Sequence, residues 1–174
     1  RDWPSHTPWF REIPREFVRY LSEAEIKQPL PAWLAELAHY EWVELAVDIM
    51  DCPIPDHETQ GHLLIGRPVL NPTLMNLSYQ WPVHKIGPGY RPRKRQPTQL
   101  LVYRDSDDEV QFVASNPVTA RLLAILASTT LTGRAACLRI AEELQHPSPE
   151  ILVNHGLSML EQLRHQGIIL GIRQ

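Results

Sequence analysis

The sequence has only two cysteines in 174 residues, Cys52 and Cys137, far apart and outside any C-x-x-C pair. That excludes a disulfide framework and fits a reducing compartment. No apolar run reaches the roughly 18 residues that a membrane span needs. No secretory signal is visible. A cytoplasmic location is therefore expected, with no membrane partner. Excess positive charge is also missing. The net charge is −3 and the pI is near 6.2, whereas a dedicated nucleic-acid binder is usually basic. The motifs of nucleophilic and phosphate chemistry are absent: there is no G-x-S-x-G, no P-loop and no G-x-G-x-x-G. The paired carboxylates Asp107 and Asp108 fall in a solvent-facing turn, where neither is tuned for acid–base work. The expectation is a protein without catalytic residues or cofactor, not an enzyme. Cys52, Asp56, His57 and His62 crowd one loop, but they match no metal-ligand spacing. They read as a polar loop, and no metal is expected. His155, on an apolar helix face, reads as a core histidine.

Prolines, by contrast, are plentiful. Sixteen of them cut the chain into short elements. The opening residues are irregular and aromatic, with Trp3, Trp9 and Phe10. A short helix begins near Pro14. A long one is expected from about Pro31 to Asp51, with Leu34, Leu37, Ala38, Leu45 and Ile49 on one face. Trp33 and Trp42 on it, like Trp9, read as core or inter-domain packing residues, with a partner surface as the alternative. Residues 52–62 are loop and mark the boundary between a helical part, 1–55, and a second domain, 56–174. Short β-like runs follow at "LLIG" and "PTLMNLSYQWPVHKI", kept short by Pro68, Pro72 and Pro82. The clearest hairpin joins Gln99–Arg104 to Glu109–Ala114. Leu100–Tyr103 within it is a continuous apolar run, as expected of a strand covered on both faces.

The last sixty residues predict three helices. Ser115 or Asn116 can cap the first, with Pro117 at its first position; Val118, Leu122, Ile125 and Leu126 form its stripe. The second runs from about Thr132 to Leu144, with Cys137, Ile140, Ala141 and Leu144 inward. Ser148 and Pro149 start the third, whose buried side is read as Ile151, Leu152, His155, Met159, Leu160 and Leu163. Gly167 can close it in the left-handed conformation, and "IILGIRQ" can form a last strand. The fold class is α+β: a helical part, a small antiparallel sheet and a three-helix, winged-helix-like end.

The run Arg91-Pro92-Arg93-Lys94-Arg95 precedes the hairpin. It fits a solvated loop, an acidic protein or peptide partner, or a nucleic-acid patch. Arg91, Arg93, Lys94 and Arg95 are the candidate partner-binding residues. A groove-reading role for the third helix fits poorly, because its outward positions, Asn154, Ser158, Glu161, Gln162 and Arg164, set one arginine against a carboxylate.

The segments "QLLVYRDSDDEVQFVASNPVTARLLAIL", "TGRAACLRIAEEL" and "EILVNHGLSMLEQLRHQGIILG" resemble the winged-helix module of the PqqD type, which recognises leader segments of peptides under modification. Over almost the whole chain, "SHTPWFREIPREFVRYL", "LPAWLAELAHYEWVELAVD", "LNPTLMNLSYQWPVHKI" and the hairpin segment resemble the HvfC/BufC/MbnC family, long catalogued as a DNA-binding domain of unknown function. The resemblance implies a non-catalytic partner protein in peptide natural-product maturation. Such a protein presents a precursor peptide to an iron-dependent TIM-barrel oxidase that modifies the peptide's cysteines. Thr7–Phe10 and Glu12-Ile13-Pro14 stand where the family's N-terminal helical domain ends. The chain opens on Arg1, and a fragment or processed chain is expected. By the PqqD likeness, a peptide strand would add to the edge formed by Val110, Gln111, Phe112 and Val113, with Val153 and Gly156 of the third helix as a shallow apolar pocket. The alternative class is a DNA-binding transcriptional regulator of winged-helix type.

Overall fold

The computed structural model describes residues 12–23 and 29–174. Trp3, Trp9, Phe10 and the Thr7–Phe10 segment lie outside the described residues. The chain splits into two compact units, Arg1–Ile49 with Ser78–Thr98, and Met50–Leu77 with Gln99–Gln174.

In the first unit, helix α1 spans Ile13–Glu23 and helix α2 spans Leu34–Asp48. Helix α2 is shorter than its apolar pattern suggests. A turn closed by the Leu34 N–H on Pro31 O (2.9 Å) precedes it, and Ile49 caps its end. Its buried seam is Val43 and Val47, while Ile49 is half exposed. The i, i+4 valines carry the packing because Ile49 has already left the helical path. Two polar attachments hold the later segment of this unit to α2. The Glu36 carboxylate accepts from the backbone N–H groups of Gln80 (3.1 Å) and Trp81 (3.0 Å). His39 Nδ1 lies 2.8 Å from the Tyr79 hydroxyl. Burial pulls the His39 imidazole below its ordinary pKa, against the opposing pull of Glu36. Burial, and then Glu36, pushes the Tyr79 phenol well up. "GPGY" is a tight turn in which Gly87 and Tyr90 exchange both backbone bonds.

The second unit holds most of the strands and the three helices expected at the end of the chain. Strand β1 is Arg67–Leu70, β3 is Thr98–Arg104, β4 is Val110–Ser115 and β5 is Ile169–Arg173. Strand β2, Met75–Tyr79, starts in this unit and runs into the other segment. The sheet order is β2-β3-β4, and β5 returns antiparallel to β1 as a two-stranded sheet. The fold is α+β: helices, a small antiparallel sheet, then helices. "LLIG" is a turn rather than a strand. Ile65 and Gly66 both donate to His62 O at 3.0 Å, and Leu63 is fully buried. The strand starts one residue later, at Arg67.

Helix α3 is Pro117–Ser128, α4 is Gly133–Glu143 and α5 is Pro149–His165. Asn116 caps α3, its side chain accepting from Thr119 N (2.9 Å), with Pro117 next. Thr132 caps α4 in the same way. The core joins Leu101 and Tyr103 of β3 to Leu122, Ile125, Cys137, Ile140, Val153 and Leu160 of the helices. Three inward assignments are corrected. Leu144 and Ile151 are 53% and 52% exposed, and His155 is exposed. Leu144 is already the cap of α4, and the buried side of α5 is Val153, Gly156, Leu160 and Leu163. That phase leaves 151 and 155 outside.

Helix α5 ends as its glycine predicts. Gly167 has φ 75°; its N–H bonds Arg164 O, and the Ile168 N–H bonds Leu163 O. This is a Schellman closure with Ile168 and Leu163 both in the core. Helix α4 closes the same way without a glycine. Gln145 has φ 50°, Gln145 N–H bonds Glu142 O and His146 N–H bonds Ala141 O. A left-handed side-chain residue costs about 1–2 kcal/mol, and glycine's extra unfolded-state entropy offsets about 0.5–1 kcal/mol. Gln145→Gly should therefore raise the unfolding free energy by about 0.5 kcal/mol. Urea melts with an unchanged slope check it; a lowered midpoint would contradict the account.

Candidate functional site

The hairpin is built around one carboxylate. Asp105 Oδ1 accepts from the N–H groups of Asp107 (2.9 Å) and Glu109 (3.0 Å), and Oδ2 accepts from Gln111 Nε2 (2.7 Å). Asp108 takes φ 63° to let the chain reverse. Foremost among these donors, Glu109 N–H holds the Asp105 carboxyl below its usual range.

The register then decides which backbone groups of β4 point where. Tyr103 pairs with Gln111, Val102 with Phe112, Leu101 with Val113 and Leu100 with Ala114. The Asp105 N–H bonds Glu109 O at 3.0 Å across the turn. Arg104 directs its N–H to Thr73 Oγ1 (2.9 Å) and its carbonyl to Asn71 Nδ2 (2.9 Å), both away from β4. Bonded pairs alternate in an antiparallel ladder. Gln111, Val113 and Ser115 therefore bond toward β3, and Val110, Phe112 and Ala114 direct their backbone groups outward. Strand β4 is an edge of the sheet, and among the described residues no further strand pairs with it.

Beside that edge runs a groove of about 390 Å³. Leu101, Val113 and Leu163 give it an apolar floor. Ser115 and Asn116 close one side, and His155, Ser158, Met159, Gln162 and Gln166 of α5 form the other. The Tyr103 hydroxyl donates to Gln166 O at 2.6 Å, which fixes the end of α5 against the sheet. Ser115 Oγ is buried with no hydrogen-bond partner among the described residues. An unsatisfied buried hydroxyl costs about 1–3 kcal/mol.

The expected site residues divide. Val113 lines the groove, and Gln111 shares its face but is committed to Asp105. Val110 and Phe112 alternate onto the opposite face. Val153 and Gly156 are not a pocket wall. Val153 is 1% exposed within the core, and a Cβ at Gly156 would stand 2.4 Å from Cys137 Sγ. They form the seam between α4 and α5. Burial also raises the Cys137 thiol's pKa. Sequence reasoning missed His155, Ser158, Gln162 and Gln166 as a group, although their spacing of three, four and four residues places them on one helical face.

Arg91, Arg93, Lys94 and Arg95 are exposed and form no ion pair among the described residues. Arg164 is not available to a phosphate. It bonds Gly61 O (2.9 Å) and pairs with Glu161. His57 Nδ1 contacts Pro55 O (2.7 Å), and His62 Nδ1 accepts from Leu64 N. Among the described residues no three His, Cys, Asp or Glu side chains converge on a metal position, and no helix is long and apolar enough to cross a membrane.

The edge of β1 is chemically different from that of β4. Ile172 exchanges both backbone bonds with Glu58 (2.8 and 3.0 Å). Its partner Pro68 on β1 therefore faces away from β5, and it has no N–H to offer. A strand docking there would lack a donor at the middle of β1.

These features define an α+β unit, a hairpin sheet with β4 at its edge, backed by three helices. The family model for the HvfC C-terminal domain matches residues 71–164, more than half of the chain. The chain belongs to the HvfC family. No curated protein matches it.

If Gly156 is a packing residue, Gly156→Ala should destabilise by about 1–3 kcal/mol through overpacking. Cys137→Ala in the same chain should recover much of that loss, because the two sites share one contact. Additive losses in denaturant melts would show that Gly156 does not owe its place to Cys137.

Proposed function

We propose that this chain is a non-catalytic partner protein that binds a precursor peptide. It presents that peptide to an iron-dependent TIM-barrel oxidase for cysteine modification. Membership of the HvfC family supports a partner role in peptide modification. The observation that carries the peptide-binding half is the β4 edge. Ala114 directs its backbone groups outward beside a groove lined by Val113, Ser115 and the α5 side chains. A peptide strand would gain main-chain bonds from the edge and specificity from the α5 side chains. All of these elements fall within residues 56–174, which we assign to peptide recognition.

The exposed cations at Arg91, Arg93, Lys94 and Arg95 are assigned to an acidic partner surface or peptide segment. The free thiols of Cys52 and Cys137 accord with a cytoplasmic site of action.

The test uses the full chain and a synthetic peptide from a short Cys-rich reading frame neighbouring an oxidase gene. Val113→Pro is a poor probe, because the Val113 N–H belongs to the β3–β4 ladder itself. Ala114→Pro removes an outward donor and leaves that ladder in place. It should weaken peptide binding at least about tenfold, equivalent to one lost net bond of roughly 1.4 kcal/mol. Ser158→Trp, at an exposed α5 position, should block the groove without touching the ladder. Arg93→Ala with Lys94→Ala should weaken binding modestly and in a salt-dependent way. Thermal melts confirm that each variant folds. Unchanged peptide affinity in folded Ala114→Pro and Ser158→Trp would move the docking site elsewhere. Tight, sequence-dependent binding of duplex DNA at physiological salt would replace this reading with the regulator class.

A further inference from the structure

A second groove, of about 600 Å³, lies wholly within the second unit. Its walls are Val69, Leu70 and Leu74 on one side and Leu123, Leu126 and Ala127 of α3 on the other. At its mouth stand two arginines, Arg67 and Arg173. They are directly opposed across the β1–β5 ladder. Side chains of an opposed pair share one face, and like charges so placed repel. Neither guanidinium pairs with a carboxylate among the described residues. Arg173 Nε donates only to a backbone carbonyl, Asp56 O, at 2.8 Å. The fold thus holds two like charges on one face with no counter-ion among the described residues, beside an apolar trough.

We propose that this groove is a binding site for a small amphiphilic carboxylate. The apolar body would occupy the Val69–Leu123 trough, and the carboxylate would bridge Arg67 and Arg173. Charge complementarity selects an anion, and guanidinium forks match the planar carboxylate. The volume falls in the range of small-molecule sites, about 300–1,000 Å³. Pro68 argues against an extended peptide here, because the edge of β1 offers no donor at that residue. The site differs from the β4 groove in position and chemistry and does not depend on the peptide-binding reading.

The probe is octanoate, titrated into the isotope-labelled full chain and followed by amide chemical shifts. Saturable shifts are expected at Val69, Leu74 and Ala127, with Val113 and Ser115 unmoved. Octanamide, with the same body and no charge, should bind at least about tenfold more weakly, the scale of a charge-assisted bond. Acetate, with charge and no body, should also be weaker. Arg67→Gln with Arg173→Gln should cause a comparable loss for octanoate. Ala127→Phe, at an exposed position of α3, should remove binding by filling the trough. If the double arginine variant fails to fold, the octanamide and Ala127→Phe arms decide. Equal binding of octanamide, unaltered binding in folded Ala127→Phe, or shifts centred on the β4 groove would each overturn the assignment.

Discussion

The second unit depends on the burial of one strand. Leu100, Leu101, Val102 and Tyr103 are between 0 and 3% exposed, four consecutive residues covered on both faces of the sheet. A strand in that position cannot leave a backbone group unpaired without a large penalty. Its neighbours must therefore supply every partner. Strand β4 takes one side, while Thr73 and Asn71 take the backbone of Arg104 where regular pairing gives out. Asn71 also donates to Gly167 O at 3.1 Å, and so ties the end of β3 to the closure of α5. The Tyr103 hydroxyl makes a second tie at Gln166. The position of α5, and with it the groove wall, follows from satisfying β3.

The same requirement explains why β4 carries outward-directed backbone groups. Hydrogen-bond direction alternates along a strand, so pairing β4 with β3 leaves alternate backbone groups of β4 aimed away from the sheet. Natural edges of this kind are usually shortened, charged or blocked. Strand β1 is blocked by Pro68. Strand β4 carries neither a proline nor a charged side chain from Val110 to Ser115. The contrast within one unit supports the proposal that a strand docks at β4.

Much of this was legible in the sequence, and the gaps have physical causes. Asn116-Pro117 and Gly167 announce helix ends through local backbone chemistry, which tertiary packing seldom overrides. The apolar run at 100–103 announces a doubly covered strand by composition alone. The face of α5 was misread because a buried residue there, Gly156, has no side chain to register in an apolar pattern. Without it, Ile151 and His155 look like part of the stripe, and the true seam of Val153, Gly156, Leu160 and Leu163 is hidden. Cys137 opposite is what demands the glycine, and a contact between two helices is invisible to periodicity within one. "LLIG" misled for a related reason: Leu63 is buried, but in a turn, and burial alone does not specify backbone conformation. The groove residues escaped because polar side chains on a helix look the same whether they face water or a ligand.

If both proposed sites are used, the two grooves of this unit would select ligands by opposite means. At β4 the selective groups are backbone donors and acceptors, fixed in direction by the ladder and nearly indifferent to ligand sequence. Affinity there is tuned by the side chains of α5. At β1 the backbone would contribute little, and selection would fall to two guanidiniums whose mutual repulsion an anion would relieve. Apart from the cations at residues 91–95, salt distinguishes the two sets of contacts. A main-chain ladder is weakly screened, whereas an exposed pair of cations loses its hold as ionic strength rises. A ligand of the first groove and a ligand of the second would therefore respond differently to the same buffer, although both sites rest on strands of one small domain.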